Sequence, residues 1–461
     1  MPTNPTKRQN IWMPLLFSTV LVGGMFIGFK LNETLSNKRS INTTIERNDR
    51  VEEIIDLISS RYVEAIPEDT LYQDAVEGVL QHLDPHTFYL NAKEAVIANE
   101  SIEGNFKGIG IEYYIVRDTV IVISVAPGGP SEKVGIKVGD RLIAIEDKLV
   151  SGVGSSDDDV RQKMAEVTKA NITLTIQNPQ GVNRNINIVR GNVPINSVDA
   201  SYMLNAQVGY LKLNRFSATT TTEFLTAIAA LRTQGMKSLV FDLRQNPGGL
   251  LDEAIAVLDA FIPGKQLLVY TSGKGNDNVE YFSSQTGAFE EGNLVVLIDE
   301  ASASASEVVA GGVQDLDRGI IIGRSSFGKG LIQEQFELTD GSALRLTVAK
   351  YYTPSGRPIQ KNYDKGRTHY QVESDQRMNN ANSEAIINES YKTINNHRAI
   401  HAFGGGVHPD IRVAVPSYML SPDLWTILEL IDAYSNSYFA THINEFINFS
   451  NFDNFYIKYA V

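Results

Sequence analysis

The chain of 461 residues contains no cysteine, which excludes disulfide frameworks, thiolate metal sites and lipid-modified cysteines. Basic residues are in deficit. Lys and Arg number 41 against 54 Asp and Glu, a net charge of −13, which argues against a nucleic-acid partner and for a soluble surface. Long uncharged runs are scarce as well. One reaches 19 residues, from Ile11 to Phe29, after Lys7 and Arg8 and before Lys30. That length suits a membrane span better than the roughly 7–15 apolar residues of a signal-peptide core. No small-x-small cleavage site follows cleanly, so residues 1–40 read as a short tail, an uncleaved single-pass anchor and the start of a polar tether over Asn32–Asn48. Flanking charges (Lys7 and Arg8 against Lys30, Lys38 and Arg39) do not orient the span.

Beyond the tether the patterns are of mixed α/β and α+β type. Residues 41–104 read as helical, with Val51, Ile54, Ile55, Leu57 and Ile58 on one face, and Leu71, Ala75, Val76, Val79 and Leu83 on a second helix after Pro67. A turn, Leu83-Asp84-Pro85-His86-Thr87, closes this region; a lone His after Asp-Pro is read as a turn or packing residue. Residues 105–191 alternate strands with turns and carry a helix at Asp158–Val167. Residues 192–416 start with a strand at Val208–Leu213, a helix at Thr222–Arg232 and a strand at Leu239–Arg244. That strand ends in Asn246-Pro247-Gly248-Gly249, a turn that exposes backbone N–H groups as an oxyanion hole requires. Tyr363–Ala402 is polar and reads as a surface excursion. His397 and His401 lack the intervening Glu and third ligand of a zinc site, so no metal or cofactor is read. Residues 417–461 start a last helix at Ser421-Pro422 and continue in aromatics to Tyr459.

The chemistry concentrates between Leu294 and Gln333. Leu294–Ile298 is an apolar strand, Ala301–Ser306 a turn of small residues with three serines, and the pattern is helical from Glu307. A second strand, Ile320–Ile322, leads into a Gly-rich turn with one lysine, Lys329. A serine near a helix N-terminus sits where unpaired N–H groups favour negative charge. Its hydroxyl needs a base, and a lysine buried without a carboxylate partner is driven toward the neutral, basic form.

Ser302-Ala303-Ser304-Ala305-Ser306-Glu307, with Phe327-Gly328-Lys329-Gly330 and Gln333, resembles the carboxy-terminal processing (tail-specific) proteases, serine peptidases with a Ser/Lys dyad. The resemblance implies Ser304 as nucleophile, Lys329, 25 positions later, as base, and Gln333 as its support. It also implies backbone oxyanion donors at Ala305 and at Gly248 or Gly249, on a ClpP/crotonase-like α/β core. Residues 105–191 resemble a PDZ domain, whose glycine loop Gly108-Ile109-Gly110-Ile111 would hold the carboxylate of a tail added as a strand. One departure is Ala165-Glu166, where the family usually has Arg-Gly.

The implied function is an endopeptidase that cuts extracytoplasmic proteins at or near apolar carboxy termini. The location implied by the resemblance is the inner membrane, with a cytoplasmic tail and a periplasmic body; an oligomer is left open. A catalytically silent PDZ adaptor would predict a damaged dyad, and both dyad residues are present. Gly323-x4-Gly328-Lys329 approaches a phosphate loop, but Gly330 stands where the Mg²⁺-binding Ser or Thr belongs.

Overall fold

A computed structural model describes residues 50–152, 154–167, 169–274, 278–284, 286–379, 389–402, 405–415, 422–442 and 445. The expected anchor at Ile11–Phe29, its tether and the aromatics after Phe446 lie outside these residues. Among the described residues no helix is long and apolar enough to cross a membrane. The chain divides into two compact units, Met1–Val79 and Leu80–Val461.

In the first unit, α1 (Arg50–Arg61) buries Ile55 and leaves Val51, Ile54 and Leu57 exposed. Helix α2 (Glu68–Leu80) opens with Glu68 and Asp69, where the helix dipole favours negative charge. It ends three residues before the expected Leu83. Pro85 restricts Asp84 to non-helical conformations, and the intervening residues close as a turn, with Leu83 N–H on the Leu80 carbonyl at 3.0 Å.

In the second unit, β1 (Phe88–Leu90) leads to α3 (Ala92–Glu103), which Asn91 and Glu94 cap reciprocally. A PDZ-like module follows: β2 (Asn105–Gly108), β3 (Ile111–Val116), β4 (Thr119–Val125), α4 (Pro130–Lys133), β5 (Arg141–Ile145), β6 (Lys148–Leu149), α5 (Asp157–Glu166), β7 (Asn171–Gln177), β8 (Asn183–Val189) and β9 (Gly191–Pro194). Its sheet runs β3-β4-β5-β7-β8, so β3 is an edge, while β2 and β9 pair as the way in and out. Strand alternation supplies the core: Ile172, Leu174 and Ile176 of β7 are buried with Val120, Val122 and Leu142.

The remaining chain builds a larger α/β region from β10 (Val198–Met203), β11 (Val208–Leu213), α6 (Thr220–Thr233), β12 (Ser238–Asp242), α7 (Leu251–Asp259), β13 (Leu267–Gly273), β14 (Asn278–Phe282), β15 (Asn293–Ile298), α8 (Ala305–Asp315), β16 (Ile320–Gly323), β17 (Leu331–Glu337), β18 (Ala343–Tyr352), α9 (Arg367–Asn379), β19 (Glu389–Lys392), β20 (Ala399–Ala402), β21 (Ile411–Arg412) and α10 (Pro422–Thr441). One sheet runs β10-β11-β12-β15-β16-β21, parallel apart from β10. In such a sheet, ligands bind where strands end and helices begin. The turns after β12 and β15 lie at that edge. An antiparallel sheet, β1-β18-β13-β14 with β17 on β18, carries the lysine loop. Phe224, Phe241 and Phe261 meet in the core with ring centroids 5.5–5.7 Å apart, pairs worth about 0.5–1.5 kcal/mol each beyond their area.

The expected surface excursion is partly core. Helix α9 buries Tyr370 and Ser374, and Ile400 of β20 is buried as well. Helix α10 packs against β3, the edge of the PDZ-like sheet.

Candidate active site

Three serines crowd the turn between β15 and α8, and their surroundings separate them. Ser302 is fully buried; it donates to the Leu243 carbonyl at 2.8 Å and accepts the Asp299 N–H at 3.0 Å. Ser306 is fully buried and donates to the Asn246 carbonyl at 3.0 Å. Ser304 alone of these is partly exposed, and its backbone is held at φ 53°, ψ −112°. For a residue with a Cβ this conformation costs on the order of 1–3 kcal/mol and persists only where the surroundings over-determine it.

Two side chains supply that determination, and both also hold the lysine. Glu307, buried in the first turn of α8, accepts the Ser304 N–H at 2.7 Å and the Lys329 N–H at 2.9 Å. It also accepts the Gly328 N–H at 2.7 Å and the Ser326 hydroxyl. Burial pushes its pKa up to about 7, while these donors favour the ionised form. Tyr351, buried on β18, points its hydroxyl at the carbonyls of the same two residues, Ser304 at 2.9 Å and Lys329 at 2.6 Å. Its phenol is pushed well above its ordinary range, by burial first and then by the Glu307 charge. The Ser304 turn and the Lys329 loop are thus clamped through N–H groups by a carboxylate and through carbonyls by a phenol.

Lys329 has no ion pair among the described residues. Burial and the positive charge of Arg345 hold its pKa below the ordinary lysine value, against the opposing pull of Asp84 and Glu307. Its Nζ donates to Oε1 of Gln333 at 2.8 Å, and Gln333 Nε2 in turn donates to the His86 carbonyl. No hydrogen bond joins the side chains of Ser304 and Lys329.

The two candidate oxyanion glycines differ. Gly248, at φ 94°, lies against Ser304: a Cβ there would come within 2.6 Å of the Ala303 carbonyl and 2.8 Å of Ser304 Cβ. Its N–H is already donated to Asn246 Oδ1 at 2.9 Å. The N–H groups of Gly249 and Ala305 donate no hydrogen bond among the described residues. Asn246, fully buried, ties both turns together. Its side chain also donates to the Leu213 carbonyl at 2.9 Å, and its own carbonyl accepts Ala303 N–H at 3.0 Å.

In the PDZ-like module, the carbonyls of Ile109 and Gly110 accept N–H groups of Ser131 and Ala126, each at 3.0 Å. Their own N–H groups donate nothing among the described residues, between Gly108 at the end of β2 and Ile111 at the start of β3. Ala165 and Glu166 end α5, where Glu166 pairs with Lys148 at 2.7 Å on the surface.

Sequence reasoning named Ser304, Lys329 and Gln333 but assigned no role to Glu307, Tyr351, Asn246 or the His86 carbonyl. Glu307 had a local signal, because Ser304-x-x-Glu307 has the spacing of a helix capping box. Tyr351 lies 47 residues from Ser304 and had none.

A serine held in a strained turn beside open amides, with a buried lysine on the neighbouring loop that makes no direct ion pair among the described residues, defines a serine peptidase. Models of known families agree: Peptidase family S41 matches residues 207–378, a PDZ domain residues 121–178, and the Activating protease CtpB N-terminal domain residues 20–94. A carboxy-terminal-processing protease of Bartonella bacilliformis is 38% identical over 74% of this chain and 79% of its own length. A probable CtpA-like serine protease of Staphylococcus aureus is 30% identical over 77% of this chain and 72% of its own. Among solved structures, the photosystem II D1 C-terminal processing protease is 26% identical, with 80% of this chain and 90% of that one covered and a TM-score of 0.41. The chain belongs to the carboxy-terminal-processing proteases of peptidase family S41.

Proposed function

We propose that this peptidase cuts proteins at or near their carboxy termini, with Ser304 as nucleophile and Lys329 as general base. The observation that carries this reading is the double clamp: Glu307 and Tyr351 each bind both Ser304 and Lys329. Neutral Lys329 takes the Ser304 hydroxyl proton as Oγ attacks the scissile carbonyl carbon. The N–H groups of Ala305 and Gly249 receive the oxyanion, and Gly248 contributes the space its missing Cβ leaves. The tetrahedral species collapses, the amine leaves with the proton from Lys329, and Lys329 then activates water against the acyl-enzyme. The Ser304–Lys329 hydrogen bond is expected to form in the substrate complex, where catalytic contacts tighten.

The N–H groups of Ile109 and Gly110 would take the terminal carboxylate of an apolar tail added alongside β3. Such a tail would meet α10 there, since α10 packs on that edge. The uncharged run at Ile11–Phe29 supports a membrane anchor, and the family resemblance supports an inner-membrane location with the body in the periplasm. The test is cleavage of an unfolded reporter with an apolar carboxy-terminal tail by wild type, Ser304→Ala and Lys329→Ala, with a second reporter whose tail is masked. Cleavage by wild type alone supports the dyad. Failure of all to cleave would favour a silent PDZ adaptor.

A further inference from the structure

We propose that the turn Asp84–Thr87 is a positioning device for the general base, acting through Gln333. This rests on the reading of Lys329 as base.

A glutamine amide has two nearly isosteric ends with opposite roles, an acceptor oxygen and a donor NH₂. Which end faces Lys329 decides what the lysine can do. If the NH₂ faced it, a neutral amine would have to accept, and the lone pair needed for the Ser304 proton would be engaged. If the oxygen faces it, the amine donates an N–H and keeps its lone pair. The His86 backbone carbonyl settles the choice, because a carbonyl can only accept. It takes the Gln333 Nε2 and leaves Oε1 for Lys329 Nζ at 2.8 Å.

The turn that presents this carbonyl is tied from several sides. Asp84 Oδ1 accepts the N–H groups of His86 at 2.9 Å and Thr87 at 3.1 Å, and Oδ2 accepts the Thr87 hydroxyl at 2.6 Å. Pro85 fixes one backbone angle. Arg367 of α9 donates to the carbonyls of Asp84 at 2.9 Å and Thr87 at 2.8 Å. The Thr87 hydroxyl accepts the Thr347 N–H at 3.2 Å, and Thr347 is the register partner of Gln333. The accepting carbonyl and the amide it orients are therefore referenced to one strand, β18.

The His86 ring adds a last anchor. Its Nε2 lies 2.7 Å from the Tyr370 hydroxyl, and the ring stands edge-on to Tyr370 and Phe327. Beneath lies Lys361, fully buried, its Nζ 4.3 Å from the Phe327 centroid and 4.1 Å from that of Tyr370 and bonded to Ser374. Burial first, then the Lys329 charge, lowers the imidazole pKa to about 4, so the ring is neutral at ordinary pH. His86 thus acts as part of a rigid turn and not as a base.

The experiment is a double-mutant cycle on the full chain with the tailed reporter, measuring kcat and KM against pH for wild type, Asp84→Ala, Gln333→Ala and the double variant. Asp84→Ala is expected to lower kcat on the order of tenfold to a hundredfold, as a small misplacement of a reacting group does, with KM little changed. The same change in the Gln333→Ala background should cost almost nothing, because the two act as a unit. Tyr370→Phe, which keeps the ring and so the packing, should show a smaller loss with the same dependence on Gln333. Gln333→Glu sharpens the point. A carboxylate cannot donate to the His86 carbonyl and favours charged Lys329, so the rising limb of the rate should move to higher pH. Equal losses from Asp84→Ala with and without Gln333, or no loss at all, would overturn the proposal. Loss of all cleavage by wild type would instead sink the reading of the dyad.

Discussion

The Ser304 turn and the glycine loop of the PDZ-like module both leave backbone amides without an acceptor among the described residues, yet they are built in opposite ways. Around Ser304 the buried side chains are spent on the backbone: Ser302, Ser306, Asn246, Glu307 and Tyr351 all bind it in the interior. Around Gly110 the loop is held by apolar burial of Ile109 and by two carbonyl hydrogen bonds. The first design stores strain in one residue and fixes it from many sides, as a reaction requires of groups that must not move. The second has few polar contacts to fix it and lies beside β3, the edge strand that α10 also meets.

The largest expected effect separates chemistry from scaffold. Lys329→Arg keeps charge and bulk but cannot become neutral, so reporter cleavage should fall by roughly the several orders of magnitude that loss of Ser304 causes, with the melting temperature little changed. Gly248→Ala comes next. The new Cβ would meet the Ala303 carbonyl at 2.6 Å at a positive φ, so the strained turn must open. A loss of kcat of at least about a hundredfold is expected, as for removal of an oxyanion donor.

Glu307→Gln tests the clamp. The amide nitrogen opposes N–H donors, so at least one buried donor is left without an acceptor, at about 1–3 kcal/mol. Calorimetry should show that loss, and kinetics a fall in kcat; an unchanged melting temperature would remove Glu307 from the scaffold. In the PDZ-like loop, Gly110→Ala at φ 76° strains the backbone by about 1–2 kcal/mol. It should act on KM for the tailed reporter more than on kcat, which is the behaviour expected of a capture site.

The smallest effect is electrostatic. The rate should rise with pH as Lys329 loses its proton, and this limb should lie below the ordinary lysine range because burial and Arg345 hold its pKa down. Arg345→Gln removes a positive charge that disfavours protonated Lys329, so the limb should shift upward in pH. A downward shift would show that Arg345 acts on something else.

Much of the architecture was legible. Apolar periods located β11, β15 and β16 to within a residue at most of their ends, because buried strands and helices must present apolar side chains at their own spacing. Ser304, Lys329 and Gln333 were legible for a different reason: they sit in short motifs whose spacing matches a family. The stretch Tyr363–Ala402 is a surface excursion only in part: its polar composition hides Tyr370 and Ser374, which are buried through hydrogen bonds and ring contacts.

By itself, then, the sequence determined the order of elements, the exclusion of thiol chemistry and the identity of a serine, a lysine and a glutamine as candidates. It could not separate the two candidate glycines or find the groups that hold Ser304 and Lys329. Only the folded chain spends the Gly248 N–H on Asn246, brings Tyr351 across 47 residues to the Ser304 carbonyl and sets the His86 carbonyl on Gln333. The physical reason is that apolar burial follows local periodicity, whereas each buried polar group must find its own partner. That partner is a matter of which strands meet in space, which no local pattern records.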